Sequence, residues 1–493
     1  MIRIVKMTFD PKKVNEFLVN FEEVKHKIRA FDGVEHLELL NDKNKSNIYF
    51  TYSVWKSEQH LNNYRHSDLF QSVWAVTKPM FIEKADAWSL DSLVKLPEKM
   101  TKNRKNTFLN LQGQTNQSPY LIDVEKADGI YIWDKDGKRY MDMIAGVAVN
   151  NIGHRHPKVI DAIQQQLNKH LHVMVYGEYI QDAQLSLAEN LASILPKSLS
   201  CSYIVNSGTE ANEAAIKLAK RYTGRQEIIS CKNSYHGSTH GSLSVTGNDE
   251  KQKSFKPLLP QVQFIEFNNI ESLEIITEKS ACVLIETIQG DAGLIKPSLK
   301  FISALREKCT KKGVLLIFDE VQVGMGRTGK MFAFEHYNII PDIITLGKAL
   351  GGGMPIGAFI SSKEIMHSLT HNPMLGHITT FGGHPINCAA ANACITVLKE
   401  ENWIAEAEIK GQLLEDILSQ SLEIKEIRRA GLFFAIEMAS ADKVAQVVQN
   451  CLEKGLIGFW FLSTPTAFRL SPPLSITEEE IRIAGNIILK NIK

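Results

Sequence analysis

The rhythm of hydrophobic and polar positions changes twice along the chain and divides it into three stretches. In residues 1–92 short apolar runs alternate with helical spacing. Ile2, Ile4 and Met7 read as a strand, and Val14, Phe17, Leu18, Phe21 and Ile28 fall close to one helical face between Pro11 and about Arg29. Two more strands, Val34 to Leu40 and Ile48 to Trp55, flank the turn Asn41-Asp42-Lys43-Asn44. Helical sequence from Ser57 to about Thr77 and a last strand, Phe81 to Leu90, complete the order strand–helix–strand–strand–helix–strand. That is the order of a ferredoxin-like α+β domain.

Residues 93–104 carry several lysines and Pro97 without apolar periodicity, which predicts a linker. From residue 105 the pattern is that of a larger body. GIYIWDKDGKRYMDM alternates around Asp136-Gly137 and predicts a hairpin. After Pro157 come helices, and from about Cys201 short apolar strands alternate with helical stretches. The predicted strands are Ser202 to Val205, Ile228 to Ser230, Val262 to Glu266, Cys282 to Glu286, Val314 to Phe318 and Ile343 to Leu346. This is the signature of an α/β fold, a mostly parallel sheet with helices on both faces. Ligands in such folds sit at the carboxyl ends of the strands. From about Pro385 to Lys493, helices flank the strand GLFFAIEM and suggest a smaller closing domain. The expected partition is 1–92, a linker 93–104, and 105–493, with a large domain over about 165–385 and a small one from about 105–164 and 386–493.

Composition narrows the function classes. The chain has 493 residues, 44% of them hydrophobic, enough for two or three cores. With 56 basic and 55 acidic residues, net charge +1, nothing favours nucleic acid or an anionic membrane. The seven cysteines are scattered without a CxxC pair and read as reduced thiols of a cytoplasmic protein. No apolar run approaches the roughly 18 residues of a membrane span.

Candidate chemistry gathers at four strand ends. Asn206-Ser207-Gly208-Thr209-Glu210 follows a strand and opens a helix whose face would bury Ala211, Ala214, Ala215, Leu218 and Tyr222. The free N–H groups of Gly208 and Thr209 would favour an anion such as phosphate. Ser234-Tyr235-His236-Gly237 places an aromatic ring where a flat group could stack. The apolar strand before Asp319-Glu320-Val321-Gln322 ends in two carboxylates, and buried carboxylates need positive partners. Finally, Thr345-Leu346-Gly347-Lys348-Ala349-Leu350-Gly351-Gly352-Gly353 sets one lysine at a strand end among glycines. An isolated loop lysine is ordinarily solvated. Desolvation would lower its pKa, and the neutral amine forms imines with aldehydes. A phosphate seat, an acidic anchor, a stacking ring and an imine-forming lysine are what pyridoxal 5'-phosphate requires.

Residues from about 105 to 493 resemble the class III (subgroup II) aminotransferases, the acetylornithine/ornithine/4-aminobutyrate family. The resemblance rests on GIYIWDKDGKRYMD, NIGHRHPKV, SGTEANEAAIKLAKRYTGR, YHGSTHGSLS, FDEVQVGMGRTG, LGKALGGGMPIGA, TTFGGHP and FRLSPPLSITEEEI. It implies a fold-type I transferase, a homodimer with shared active sites, using pyridoxal phosphate to move an amino group from an ω-amino donor to a 2-oxo acid, 2-oxoglutarate by expectation. Lys348 would bind the cofactor covalently and Asp319 would pair with its pyridine nitrogen. Gln322 would reach the phenolic oxygen, and Val321 and Tyr235 would lie on the two ring faces. Gly208 and Thr209 would bind phosphate, Thr380 the phosphate of the neighbouring subunit, and Arg469 a substrate carboxylate. Two positions depart from the family. Ser238 stands where ornithine and acetylornithine enzymes have an arginine. Asp291 replaces a glutamate that in relatives can pair with the Arg469 equivalent and swing away, so a shorter acid would weaken that gate. An aminomutase or a decarboxylating transaminase on the same fold is the alternative.

The run SVWKSEQHLNNYRHSDLF and the strand after it resemble the antibiotic-biosynthesis-monooxygenase family. This implies a haem- or quinol-handling domain or a dimerisation module, with Trp55, His60 and His66 as candidate pocket residues. Other signals are set aside. Gly324-Met325-Gly326-Arg327-Thr328-Gly329 matches a dinucleotide fingerprint, but Asp-Glu-Val-Gln-Val precedes it and no helix opens directly from a strand there. His236 and His240 lack a third ligand, so no metal is expected.

Overall fold

The computed structural model describes residues 1–92 and 104–492, and its contacts divide it into two units, Met1–Ser118 and Pro119–Lys493. The linker expected at 93–104 lies outside the described residues except for Arg104, which opens a helix running to Leu111.

The first unit has an antiparallel sheet in the order Val34–Asn41, Ile48–Trp55, Ile2–Thr8, Asp86–Leu90. This is the ferredoxin-like order anticipated from the pattern. The helix Val14–Arg29 buries Phe17 and Ile28 on that sheet. Phe17 stacks on Phe9, ring centres 4.0 Å apart, and Tyr49 closes the cluster. Two expectations need correction. The stretch 57–77 is two helices, Glu58–Arg65 and Asp68–Thr77, because Ser67 turns extended and caps the second by accepting from the Phe70 N–H. The last strand covers only Asp86–Leu90, since Phe81 makes a single bridge to Phe9.

The second unit is built on a seven-stranded sheet in the order Val262–Ile265, Glu227–Cys231, Ser280–Glu286, Leu315–Asp319, Ile343–Leu346, Gly357–Ser361, Cys201–Val205. The first five strands run parallel. Gly357–Ser361, unforeseen in the pattern, runs antiparallel to both of its neighbours. It is buried throughout, so it has no polar-apolar alternation to read. The helix Gly208–Thr223 lays Ala211, Ala214, Ala215 and Leu218 on the sheet. Tyr222 does not join them. It is 40% exposed and its hydroxyl donates to Glu364.

Both ends of this unit share a smaller body. The hairpin Tyr131–Asp134/Arg139–Asp142 pairs in parallel with Leu456–Ile457, and a second sheet joins Glu426–Ala430, Phe433–Glu437, Ala467–Leu470 and Phe459–Trp460. Among the described residues no helix is long and apolar enough to cross a membrane, and all seven cysteines are free thiols.

Candidate active site

The carboxyl ends of four adjacent strands and the start of one helix meet around Lys348. The strand Ile343–Leu346 ends at Gly347, which is fully extended, and Lys348 then adopts a φ of +43°. That left-handed conformation is strained for a side chain with a Cβ and is held here by a buried 3₁₀ turn, Lys348–Gly351. Gly347 is needed because a Cβ there would lie 3.1 Å from the Gly208 backbone and 3.2 Å from Val321. Gly208 in turn faces Val321 so closely that its own Cβ would stand 2.5 Å from a Val321 methyl. Backbone contact thus brings Lys348, the helix start and Val321 together. Burial pushes the Lys348 ammonium below its ordinary pKa and nearby Arg469 adds to this, while Asp319, Glu286 and Asp291 oppose it.

Asp319 is buried at the end of its strand, and all its partners donate. Oδ2 accepts from Asn212 Nδ2 and from His236 Nδ1, each at 2.8 Å, and Oδ1 accepts from the Val321 N–H at 3.0 Å. Asn212 is itself fixed, its oxygen accepting from Thr345 Oγ1 at 2.7 Å. A carboxylate held by two side-chain donors and one backbone donor is fixed in orientation. Glu320 faces away. It accepts from Thr287, Ala333 N–H and Phe334 N–H, and burial pushes its carboxyl up to about 7. The two adjacent acids therefore divide into one that serves the site and one that ties a loop.

At the start of the helix Gly208–Thr223, Ser207 takes the Glu210 N–H, leaving those of Gly208 and Thr209 in a first turn that no helical carbonyl can reach. The loop after Cys231 crosses above. Gly237, at φ +128°, passes so close to Thr209 that a Cβ would sit 2.2 Å from its hydroxyl oxygen, and Thr209 Oγ1 lies 2.8 Å from Thr239 Oγ1. Tyr235 is anchored through its N–H to Glu286, whose carboxyl burial pushes up to about 7. Its hydroxyl reaches the exposed Ser238 at 3.1 Å. Gln322 packs against Gly290, and its Nε2 is buried without a hydrogen-bond partner among the described residues. Arg469 is 5% exposed, with Phe433 and Phe461 ring centres 5.3 and 5.4 Å from its guanidinium. Its Nε and Nη2 also lack partners, and burial lowers its pKa to about 10 against the pull of Asp291.

Of the two departures, Ser238 stands exposed beside the Tyr235 hydroxyl and Asp291 is engaged away from Arg469. Asp291 does not pair with Arg469; Lys251 takes it instead. Thr380 is exposed, and with Tyr176, Glu213 and His377 it lines a separate hollow of about 350 Å³. Asn212 and the anchoring part of His236 were not foreseen. The available signal was a polar Asn212 on an otherwise alanine-lined helix face. The fingerprint at Gly324–Gly329 forms turns, with the buried Arg327 donating to Asn151 and to the Leu432 and Pro472 carbonyls.

These groups fit pyridoxal phosphate on structural grounds. Gln322 Nε2 and Arg469 Nε and Nη2 are buried donors without a hydrogen-bond partner among the described residues, the first turn at Gly208 and Thr209 offers free N–H groups, and the Asp319 carboxyl is fixed in place by three donors. Gly208→Ala is expected to cost about 1–3 kcal/mol of overpacking, read as a lower melting temperature and weaker cofactor retention.

In the first unit a cavity of about 570 Å³ opens between helices and sheet, lined by Trp55, Phe17, Tyr64, Trp74, Arg3 and Arg65 among others. His60 and His66 do not line it. His60 bonds Ser57, and His66 bonds the Asn62 carbonyl.

Comparison with known proteins identifies the family of each part of the chain. The family model for aminotransferase class-III matches residues 112–492, and that for antibiotic biosynthesis monooxygenase matches residues 1–75. An acetylornithine aminotransferase of Methanocaldococcus jannaschii is 41% identical over 72% of this chain and 89% of its own length. The [LysW]-aminoadipate semialdehyde/glutamate semialdehyde transaminase of Sulfolobus acidocaldarius is 38% identical over 75% of this chain and 95% of its own. The crystal structure of ornithine aminotransferase from Toxoplasma gondii superposes with a TM-score of 0.74 at 30% identity, covering 80% of this chain and 96% of that one. The chain therefore belongs to the class III aminotransferases, pyridoxal-phosphate-dependent enzymes, and joins that body to an antibiotic-biosynthesis-monooxygenase-like domain.

Proposed function

We propose that the enzyme moves the amino group of an ω-amino donor of the acetylornithine or aminoadipate-semialdehyde type to 2-oxoglutarate, giving glutamate. The observation that carries this is the buried guanidinium of Arg469, whose Nε and Nη2 have no hydrogen-bond partner among the described residues, within electrostatic reach of Lys348. A buried guanidinium without a partner is costly, and a substrate carboxylate relieves it. The cofactor, when bound, supplies an electron sink for the carbon being deprotonated.

The chain's own groups divide the remaining work. Lys348 Nζ would be the group that holds the cofactor's aldehyde and yields it to the donor amine. Once free, its amine would take and hold the proton of the substrate carbon, a task suited to an amine whose pKa burial lowers. Asp319, steadied by Asn212 and His236, would hold the pyridine nitrogen in its protonated form. The N–H groups of Gly208 and Thr209 would hold the phosphate, Gln322 Nε2 would donate to the phenolic oxygen, and Val321 and Tyr235 would flank the ring.

The enzyme acts as a homodimer in the cytoplasm, with Thr380 serving the neighbouring subunit's phosphate. Supporting this, Thr380 is exposed between Ile378 (44% exposed) and Phe381 (55%). A monomer of 55.4 kDa in solution would sink the shared-site reading. Ser238 leaves the donor's distal carboxylate without the family arginine. A donor screen against 2-oxoglutarate tests the substrate class, and Ser238→Arg should lower KM for acetylornithine. If no ω-amino donor reacts, the donor assignment is wrong. The cavity beneath Trp55 supports a separate ligand-binding role for residues 1–92, to which deletion of those residues with retained transamination would point.

A further inference from the structure

Asp291 is the acid closest in role to a gate for Arg469, yet it is fully engaged elsewhere. It is 4% exposed. Its Oδ2 accepts from Lys251 Nζ at 2.5 Å and from Ser463 Oγ at 2.6 Å, and its Oδ1 accepts from the Leu462 N–H at 3.0 Å. Lys251 Nζ also donates to Ser463 Oγ at 2.9 Å and lies 5.0 Å from the centre of the Tyr235 ring. Asn248 steadies the same hydroxyl at 3.2 Å. Three donors thus hold the carboxylate on one side of the site while Arg469, close enough to feel its charge, keeps Nε and Nη2 empty.

The arrangement has a physical cost that needs a reason. A partly buried ammonium and a buried guanidinium compete for one short acid, and the guanidinium, with its planar fork, is the better carboxylate partner. The ammonium holds the acid because Ser463 and the Leu462 backbone add two bonds that Arg469 cannot offer from its place between Phe433 and Phe461.

We propose that Lys251 is a positioning residue that holds Asp291 off Arg469, so that Arg469 stands open as a carboxylate receptor. The proposal rests on the transaminase reading of the site and adds to it. No internal acid has to be displaced when the oxo-acid acceptor enters, so the enzyme favours dicarboxylates there. Removing the ammonium frees Asp291 to turn to Arg469 and compete with the incoming carboxylate.

The test uses the full-length holoenzyme and glutarate, a dicarboxylate with no group to transaminate, titrated by calorimetry. Lys251→Met should raise the glutarate Kd about tenfold. In turnover the effect should fall on KM for 2-oxoglutarate rather than on kcat. Lys251→Arg should restore tight binding. Adding Asp291→Asn to Lys251→Met should also restore it, since an amide does not compete for a guanidinium as a carboxylate does. Unchanged glutarate affinity in a folded Lys251→Met protein would overturn the proposal. So would weak binding that Asp291→Asn does not rescue, which would make Lys251 a direct ligand. Glutarate binding is read without turnover, so loss of transamination in the wild type would count against the proposed function and not against this arrangement.

Discussion

Lys348→Ala is expected to lose at least about 10³-fold in kcat, together with the visible absorbance of lysine-bound cofactor. General acid–base catalysis alone accounts for roughly 10²–10⁴, and Lys348 would also make the covalent attachment. The mutant should still bind cofactor, because the phosphate seat and Asp319 are built from other elements. Equal activity in wild type and mutant would remove Lys348 from the chemistry. The same burial has the opposite sign for stability. A lysine whose folded pKa is lowered binds its proton less well folded than unfolded, so the folded state gains as pH rises through the lowered pKa toward the unfolded value near 10.5. In cofactor-free protein Lys348→Met should therefore melt higher at neutral pH, by about 1 kcal/mol, with the advantage shrinking as pH rises.

Asp319→Asn carries the second large effect. All three partners of the carboxylate donate to it, so an amide nitrogen in its place faces a donor whichever way it turns. It also removes the negative charge proposed to oppose the pyridine nitrogen. Losing one member of a buried charge pair costs about 3–5 kcal/mol, which is roughly 10²- to 4 × 10³-fold in rate at about 1.4 kcal/mol per decade. Stopped-flow measurement of the donor half-reaction reads it directly. Asn212→Ala, which removes one of the donors but leaves the charge, should cost less. A larger loss there than at Asp319 would mean that the network and not the carboxylate matters.

How much of this was legible follows from where each residue sits. Asp319 and Lys348 end apolar strands that are buried on both faces, so a polar residue at those points stands out in the linear pattern. The helix at Gly208 announces itself by Ser-Gly-Thr after a strand and by its alanine face. Other features depend on residues distant in the chain. Asn212 and His236 acquire their role only because two helix and loop starts converge on one carboxylate oxygen. Lys251 sits in a four-residue helix and meets Asp291 and Ser463 only through the fold. The strand Gly357–Ser361 was hidden because a fully buried strand has no alternation. The break at Ser67 was hidden because one serine side chain, not an apolar gap, stops the helix.

The most direct test of the central claim is the dependence of turnover on an amino acceptor. With purified holoenzyme and acetylornithine, semialdehyde and glutamate should form in equal amounts when 2-oxoglutarate is present. Without an acceptor, product should stop at one equivalent per active site. Continued turnover without any oxo acid would contradict the account and point to an aminomutase or a decarboxylating enzyme on the same scaffold.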